Sequence, residues 1–253
     1  MTKWDSITIE PGTPNHYIVK NDKGYLPHTE IPSIKEMVSG KRVCVVCPSP
    51  ALDGLGEGSL IDSYDVIIRV NQKFKMSEEK ECDYGTRNDI LVGSFNQKNI
   101  DECNKNYEYI KSYKHVVGVM PSSNYPPKIN FFNKMTKDGV ECTRLNDRYI
   151  YRVFKDVGTV PNSGLMAIAL LMNYDIIEMY VTGLTFYNMG TFGDIYYSEY
   201  KDSVKSVGQT VNKDIHDHKI HKQQPQINYF RELHTNNKEI IKLDKYLTEN
   251  LYK

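Results

Sequence analysis

No stretch of this 253-residue chain carries the roughly 18 consecutive apolar residues that crossing a membrane would require. The opening run MTKWDSITIEPG also lacks the charged-then-apolar layout of a secretory signal, so a soluble cytoplasmic protein is expected. Charge of one sign is missing as well: 32 Lys and Arg balance 32 Asp and Glu, and no run of like charges is long enough to form a tail. That balance gives no electrostatic case for nucleic acid or an anionic membrane as partner. Cysteine is sparse and odd in number, five in all, which argues against a full disulfide framework. Two chemical signatures are absent too. No GKS or GKT follows a glycine-rich turn, which excludes a P-loop, and no Asp-x-Asp occurs anywhere.

What is present fits one sizeable α/β core. The stretch from Lys41 to Asn71, KRVCVVCPSPALDGLGEGSLIDSYDVIIRVN, is the organising segment. Val43 to Cys47 reads as a short buried strand, followed by the breakers Pro48-Ser49-Pro50 and the alternating glycines Gly54, Gly56 and Gly58. Such a loop after a strand is either a phosphate or nucleotide cradle or a plain connection whose glycines turn the chain. Its first glycine lies too far beyond the strand for a dinucleotide fingerprint. Val66 to Val70 is a second strand, which puts Asn71 at the carboxyl edge, where open α/β sheets bind ligands. Cys44 and Cys47 form a CxxC, but three residues apart on a strand they face opposite sides and read as buried thiols.

Farther along, the DYGTRND block at 83–89 leads into a strand at Ile90 to Val92. It reads equally as a capped turn with an Arg–Asp pair or as a ligand contact, and Asn96, at that strand's end, is a candidate donor-site residue. Helical character spans Asn99 to Lys111 and Ile129 to Lys137, with a strand from His115 to Met120 between them. Strands alternating with helices predict a parallel sheet covered on both faces. In VPNSGLMAIALLMNYDIIEMYVTGLTFY, at 160–187, a capped turn precedes an apolar helix from Leu165 to Asn173 and a strand from Glu178 to Thr182. Ser163 and Gly164 fall at a helix start, whose N–H groups and dipole suit an anion, although plain capping would place them there too. Gly183 and Tyr187 follow the strand.

Four of the seven histidines crowd into DIHDHKIHKQQPQINYFRELH, at 214–234. His216, His218 and His221 with Asp214 and Asp217 would be a metal site, yet their spacing puts the rings on one face of neither helix nor strand. The competing reading makes one histidine a general base. Residues 1–38 read as an irregular arm with a short helix at Ile34 to Met37, and Asn237 to Tyr252 as a closing amphipathic helix.

These segments resemble the sialylmotifs of glycosyltransferase family 29, the sialyltransferases. Ser49, Gly54, Gly56, Gly58, Ile61, Asp62, Ser63, Asp65, Arg69 and Asn71 match the large motif without a gap, with Pro48 where the animal enzymes usually have a nucleotide-contacting Asn. Pro161, Ser163, Gly164 and Gly183 match the small motif. His221 and Gln226, with four residues between them, are similar to the last motif, in which an acid usually stands at the second position. The motif between these two is not recovered, and Tyr196-Tyr197, His216 and His218 are its candidates. The resemblance implies a single Rossmann-like, GT-A-like domain over residues 1–253, with a mostly parallel sheet and helices on both faces. It implies no cofactor and no metal, a CMP-linked acidic-sugar donor, and a glycan or glycolipid acceptor. His221 would be the base, with Gln226 and His218 supporting it. Ser49, Gly54, Asn71, Asn96, Ser163, Gly164, Gly183 and Tyr187 would line the donor site. The unanchored, Lys-, Asn- and Tyr-rich chain points to a bacterial or viral source. Two other readings stand beside this one: a metal-dependent hydrolase built on the 214–221 cluster, and a non-catalytic nucleotide-binding protein of the same fold.

Overall fold

The computed structural model describes residues 20–21, 24–25, 31–121, 125–186 and 221–253. A two-residue antiparallel pair, β1 (Lys20–Asn21) and β2 (Gly24–Tyr25), precedes helix α1 (Pro32–Val38). The remaining strands form one seven-stranded sheet, all parallel: β3 (Arg42–Val46), β4 (Val66–Val70), β5 (Ile90–Gly93), β6 (His115–Gly118), β7 (Glu141–Arg144), β8 (Glu178–Thr182) and β9 (Ile241–Leu243). Their spatial order is β7-β6-β5-β4-β3-β8-β9. The chain therefore builds outward from β3 in one direction, then returns to the other side of β3 to lay down β8 and β9. Where the order reverses, between β3 and β8, a parallel sheet opens a crevice at its carboxyl edge.

The expected α/β architecture is thus present, and the strand sequences explain it. RVCVV and VIIRV are β-branched and almost wholly buried, as strands covered on both faces must be. Alternate residues of β3 serve separate cores. Val43, Val45 and Cys47 join one face, while Cys44 and Val46 join the other. All five cysteines are free thiols, and burial pushes those of Cys44 and Cys47 far above their ordinary value. Helix α8 (Ser163–Leu171, SGLMAIALL) has every residue buried, which is why it is apolar all round, and it lies across β3, β4 and β5.

Two expectations about elements need correction, and one stretch without an expectation is filled. The helical stretch at 99–111 is two helices, α4 (Gln97–Lys105) and α5 (Tyr107–Lys111), broken at Asn106. Residues 237–252 are not one amphipathic helix: Asn237 ends α9 (Gln223–Asn236), strand β9 follows, and a short helix occupies Lys245–Asn250. Asp244 caps that helix and competes effectively for the local backbone, accepting from the Leu247 N–H at 2.7 Å. Finally, β7 and helix α7 (Asp147–Val157) fill the stretch before Val160, which had no assignment from sequence.

Candidate functional site

Helix α7 ends at Gly158, whose φ of 77° lies in the left-handed region that glycine adopts without a Cβ penalty. The chain then turns through 159–162 into α8, and three hydrogen bonds stitch this turn to residues 221–226. The Thr159 hydroxyl accepts from the Lys222 N–H at 3.2 Å. Nδ1 of His221 lies 2.8 Å from the Val160 carbonyl oxygen. The Asn162 N–H donates to Oε1 of Gln226 at 2.8 Å, and Nε2 of Gln226 donates to the Lys222 carbonyl at 3.1 Å. Gln226 is fully buried, and its orientation is fixed by having a donor on one side and an acceptor on the other. Pro225 sits in the first turn of α9, where its missing N–H costs nothing.

Asn162 caps α8, accepting from the Leu165 N–H at 2.8 Å, so Ser163 and Gly164 occupy the first helical turn with their N–H groups at the positive end of the helix. Gly164 is required by packing. A Cβ there would stand 2.6 Å from Sγ of Cys47, the residue that follows β3. Gly183, which follows β8, is required twice over, by a φ of 70° and because a Cβ would lie 2.4 Å from the Cys47 carbonyl oxygen. Cys47 thus brings the α8 amino terminus and Gly183 together at the switch point. His221 and Gln226 arrive there through Val160 and Asn162. On the far side, Nε2 of Gln223 donates to the Phe186 carbonyl at 2.6 Å, tying α9 to the segment after β8.

Other predicted site residues are placed differently. The Gly54 and Gly56 N–H groups each donate to the Asp83 carboxylate at 2.8 Å, so the glycine loop is a backbone nest already filled by an internal anion. Burial alone would raise the Asp83 carboxyl, but the two N–H groups and Lys80 outweigh it and hold the group below its ordinary value. Ser49 is buried, and its hydroxyl accepts from the Ala51 N–H at 3.1 Å. Asn96 is exposed and caps α4, accepting from the Asn99 N–H at 3.0 Å. Asn71 stands at the end of β4 with φ 53°, and its side-chain oxygen is buried without a hydrogen-bond partner. Arg69, which resembles a motif residue, is buried and gives its donors to the carbonyls of Tyr84 (2.6 Å) and Arg87 (2.7 and 2.9 Å), fastening the 84–87 turn. Arg87 in turn bonds the carbonyls of Asp62, Tyr64 and Asp65. The 83–89 block is therefore a clasp over the glycine loop and the approach to β4. Tyr187 and His218, with His216, Asp214, Asp217 and Tyr196-Tyr197, lie outside the described residues.

A carboxylate pair that sequence reading missed sits beside Gly183. Asp244, fully buried at the end of β9, accepts from the Gly183 N–H at 2.8 Å and lies 3.1 Å from the Thr182 hydroxyl. Glu57 reaches the same hydroxyl at 3.3 Å and the Tyr180 hydroxyl at 2.9 Å. Burial raises both carboxyls above their ordinary range against the lowering effect of these donors. Neither residue stood out in the sequence, because the pair forms only when β9 docks beside β8. A cavity of about 480 Å³ lined by Lys41, Asp65, Arg87, Asp89 and Lys114 opens at the opposite, amino-terminal edge of the sheet and is separate from the switch point.

Among the described residues three non-glycine positions have positive φ: Asn71 (53°), Phe95 (50°) and Phe186 (49°). Each follows a strand at the carboxyl edge, and strained backbone of this kind is concentrated at binding sites. Among the described residues no helix is long and apolar enough to cross a membrane.

No family model and no curated protein matches this chain. Solved structures do. CstII, a sialyltransferase of Campylobacter jejuni solved with the substrate analogue CMP-3FNeuAc, aligns over 83% of this chain and 84% of its own at 15% identity, with a TM-score of 0.56. A mammalian sialyltransferase solved with Gal-beta-1-3GalNAc-ortho-nitrophenol aligns over 87% of this chain and 73% of its own at 18% identity, with a TM-score of 0.49. The single parallel sheet with helices around it is therefore a fold this chain shares with the CstII sialyltransferase.

Proposed function

We propose that the protein is an inverting glycosyltransferase that moves sialic acid or a related acidic sugar from a CMP-linked donor to an acceptor hydroxyl. The observation that carries this reading is the Nδ1 contact of His221. A carbonyl oxygen only accepts, so the bond to Val160 keeps the proton on Nδ1 and makes Nε2 the basic nitrogen of the neutral ring. A base so oriented, on a turn fastened to the start of α8, suits deprotonation of an alcohol next to a bound phosphate.

In the reaction, Nε2 of His221 takes the proton of the acceptor hydroxyl. That oxygen attacks the anomeric carbon from the face opposite the phosphate, the carbon–phosphate oxygen bond breaks, and CMP leaves with the electron pair. The N–H groups of Ser163 and Gly164 and the α8 dipole receive the negative charge on the departing phosphate. Gln226 holds both parts in register, since one amide spans the His221 segment and the α8 cap. The identity of the donor comes from likeness: CstII, which shares the fold, was solved with the substrate analogue CMP-3FNeuAc. Gln226 stands where the resembling family has an acid, so the imidazolium formed in the reaction is stabilised by hydrogen bonding and solvent instead of a paired charge.

Calorimetric titration with CMP, UMP and GMP, each with and without EDTA, tests the reading. CMP should bind selectively, and EDTA should leave both binding and transfer unchanged. His221→Ala should lower turnover by about two orders of magnitude or more while CMP still binds. Activity abolished by EDTA and restored by zinc would instead favour a hydrolase using the 214–221 histidines, and an unchanged turnover in His221→Ala would remove the base assignment.

A further inference from the structure

Directly after β5, at the carboxyl edge of the sheet, a polar chain runs from the interior to Ser94. Lys73 is buried, with 2% of its surface exposed, and its ammonium donates to Oδ1 of Asn99 at 2.7 Å and lies 3.5 Å from the Glu102 carboxylate. Because an ammonium can only donate, Oδ1 of Asn99 must face it, and Nδ2 is left to donate to the Ser94 hydroxyl oxygen at 2.6 Å. Asn99 is itself buried. The direction of every bond is thereby set: Lys73 to Asn99 to Ser94. Ser94 accepts from the interior, so its one proton points elsewhere, and no described residue accepts it. The hydroxyl is half-buried, and its neighbours on the edge, Asn71 and Phe95, both have strained, positive φ.

Each donor in such a chain polarises the next, and an ammonium at its origin favours an acceptor that carries negative charge. Ser94 stands two strands from β3, about 10 Å along the edge at the usual spacing. That is too far for a phosphate seated at the start of α8 and within the span of a nucleotide-sugar. We propose that Ser94 is a specificity residue, donating its hydroxyl proton to an oxygen acceptor on the sugar half of the donor, the carboxylate of an acidic sugar. The proposal rests on the donor reading above and adds to it the residue that tells a charged sugar from the bare nucleotide.

Calorimetry with two compounds, CMP and the inert donor analogue CMP-3FNeuAc, separates the two levels. Ser94→Ala should weaken the analogue about tenfold, the loss of one hydrogen bond to a charged group, and leave CMP within about twofold. Ser94→Thr should bind as the wild type does. Asn99→Asp is the discriminating variant. Its carboxylate strengthens the pairing with Lys73, so the fold is retained, but it accepts the Ser94 proton and turns it inward. It should therefore reproduce the Ser94→Ala loss, whereas a merely structural role for the cluster predicts no loss. Wild-type protein that binds neither compound overturns the donor reading and this proposal with it. Wild type that binds both, with Ser94→Ala unchanged or with CMP weakened as much as the analogue, overturns the Ser94 assignment alone.

Discussion

Replacing Gln226 by Glu is isosteric and changes one atom in a fully enclosed site, so its outcome can be worked out in some detail. In the native protein one amide atom accepts the Asn162 N–H and the other donates to the Lys222 carbonyl at 3.1 Å. A glutamate keeps the first bond. The second becomes two oxygens facing each other unless the carboxyl is protonated, in which case its O–H restores the bond. The folded state therefore prefers the neutral acid and raises its pKa. Protonation sets a ceiling on the damage: holding a carboxyl of ordinary pKa near 4.3 neutral costs about 4 kcal/mol at pH 7.5 and about 1 kcal/mol at pH 5. The floor is the cost of leaving the Lys222 carbonyl unpaired, about 1–3 kcal/mol. Gln226→Glu should then lose about 1–4 kcal/mol relative to wild type at pH 7.5 and no more than about 1 kcal/mol at pH 5. The sign follows from linkage: a raised folded pKa contributes fully below the unfolded value, and that contribution is lost as pH rises through the folded one. Urea unfolding of both proteins at the two pH values, with equal m-values, measures the difference. If the variant matched wild type at pH 7.5, or its deficit grew on acidification, the Lys222 bond would not be what fixes a glutamine here. Stabilisation of a charged His221 by the new carboxylate would then be the stronger effect.

Gly164→Ala forces a Cβ to within 2.6 Å of the Cys47 sulfur and should cost about 1–3 kcal/mol, part of it recovered by adding Cys47→Ala, as read by thermal unfolding of the single and double variants. Asp83→Asn leaves one of the Gly54 and Gly56 N–H groups without its acceptor and should cost about 1–3 kcal/mol at neutral pH. Because the Asp83 carboxyl is held below its ordinary value, its contribution is present above the unfolded pKa and lost as pH falls through the folded one, so this deficit should shrink in acid. His115 is wholly buried beside Thr143, and burial lowers its pKa to about 4, so it stabilises the fold above an unfolded pKa near 6.5 and loses that contribution on acidification. The loss is about 2 kcal/mol at pH 5, and His115→Gln should flatten that limb of a stability–pH curve.

Much of the scaffold was legible because it rests on local patterns. The β-branched runs at β3 and β4, the apolar α8 and the glycine after β8 each announce themselves within a few residues. The turn at 160–164 was legible for the same reason. The glycine loop was legible as a nest but not as an occupied one: a sequence shows which N–H groups can bind an anion, while Asp83, far along the chain, decides whether they are already bound. The Asp244–Thr182–Glu57 group is hidden likewise, since strand β9 has only three residues and reads as part of a helix until it pairs with β8. Ser94 looks like any strand-end serine until Lys73 and Asn99 fix which way its proton points.

The bond between Gln223 and the Phe186 carbonyl joins α9 to the segment that follows β8, while the contacts of His221 and Gln226 join the same end of α9 to the turn before α8. The start of α9 is therefore a rivet between two strand-and-helix ends that are far apart in the sequence. Local opening of this one turn would free both in a single event, so amide hydrogen exchange at 159–162 and at 184–186 should rise together.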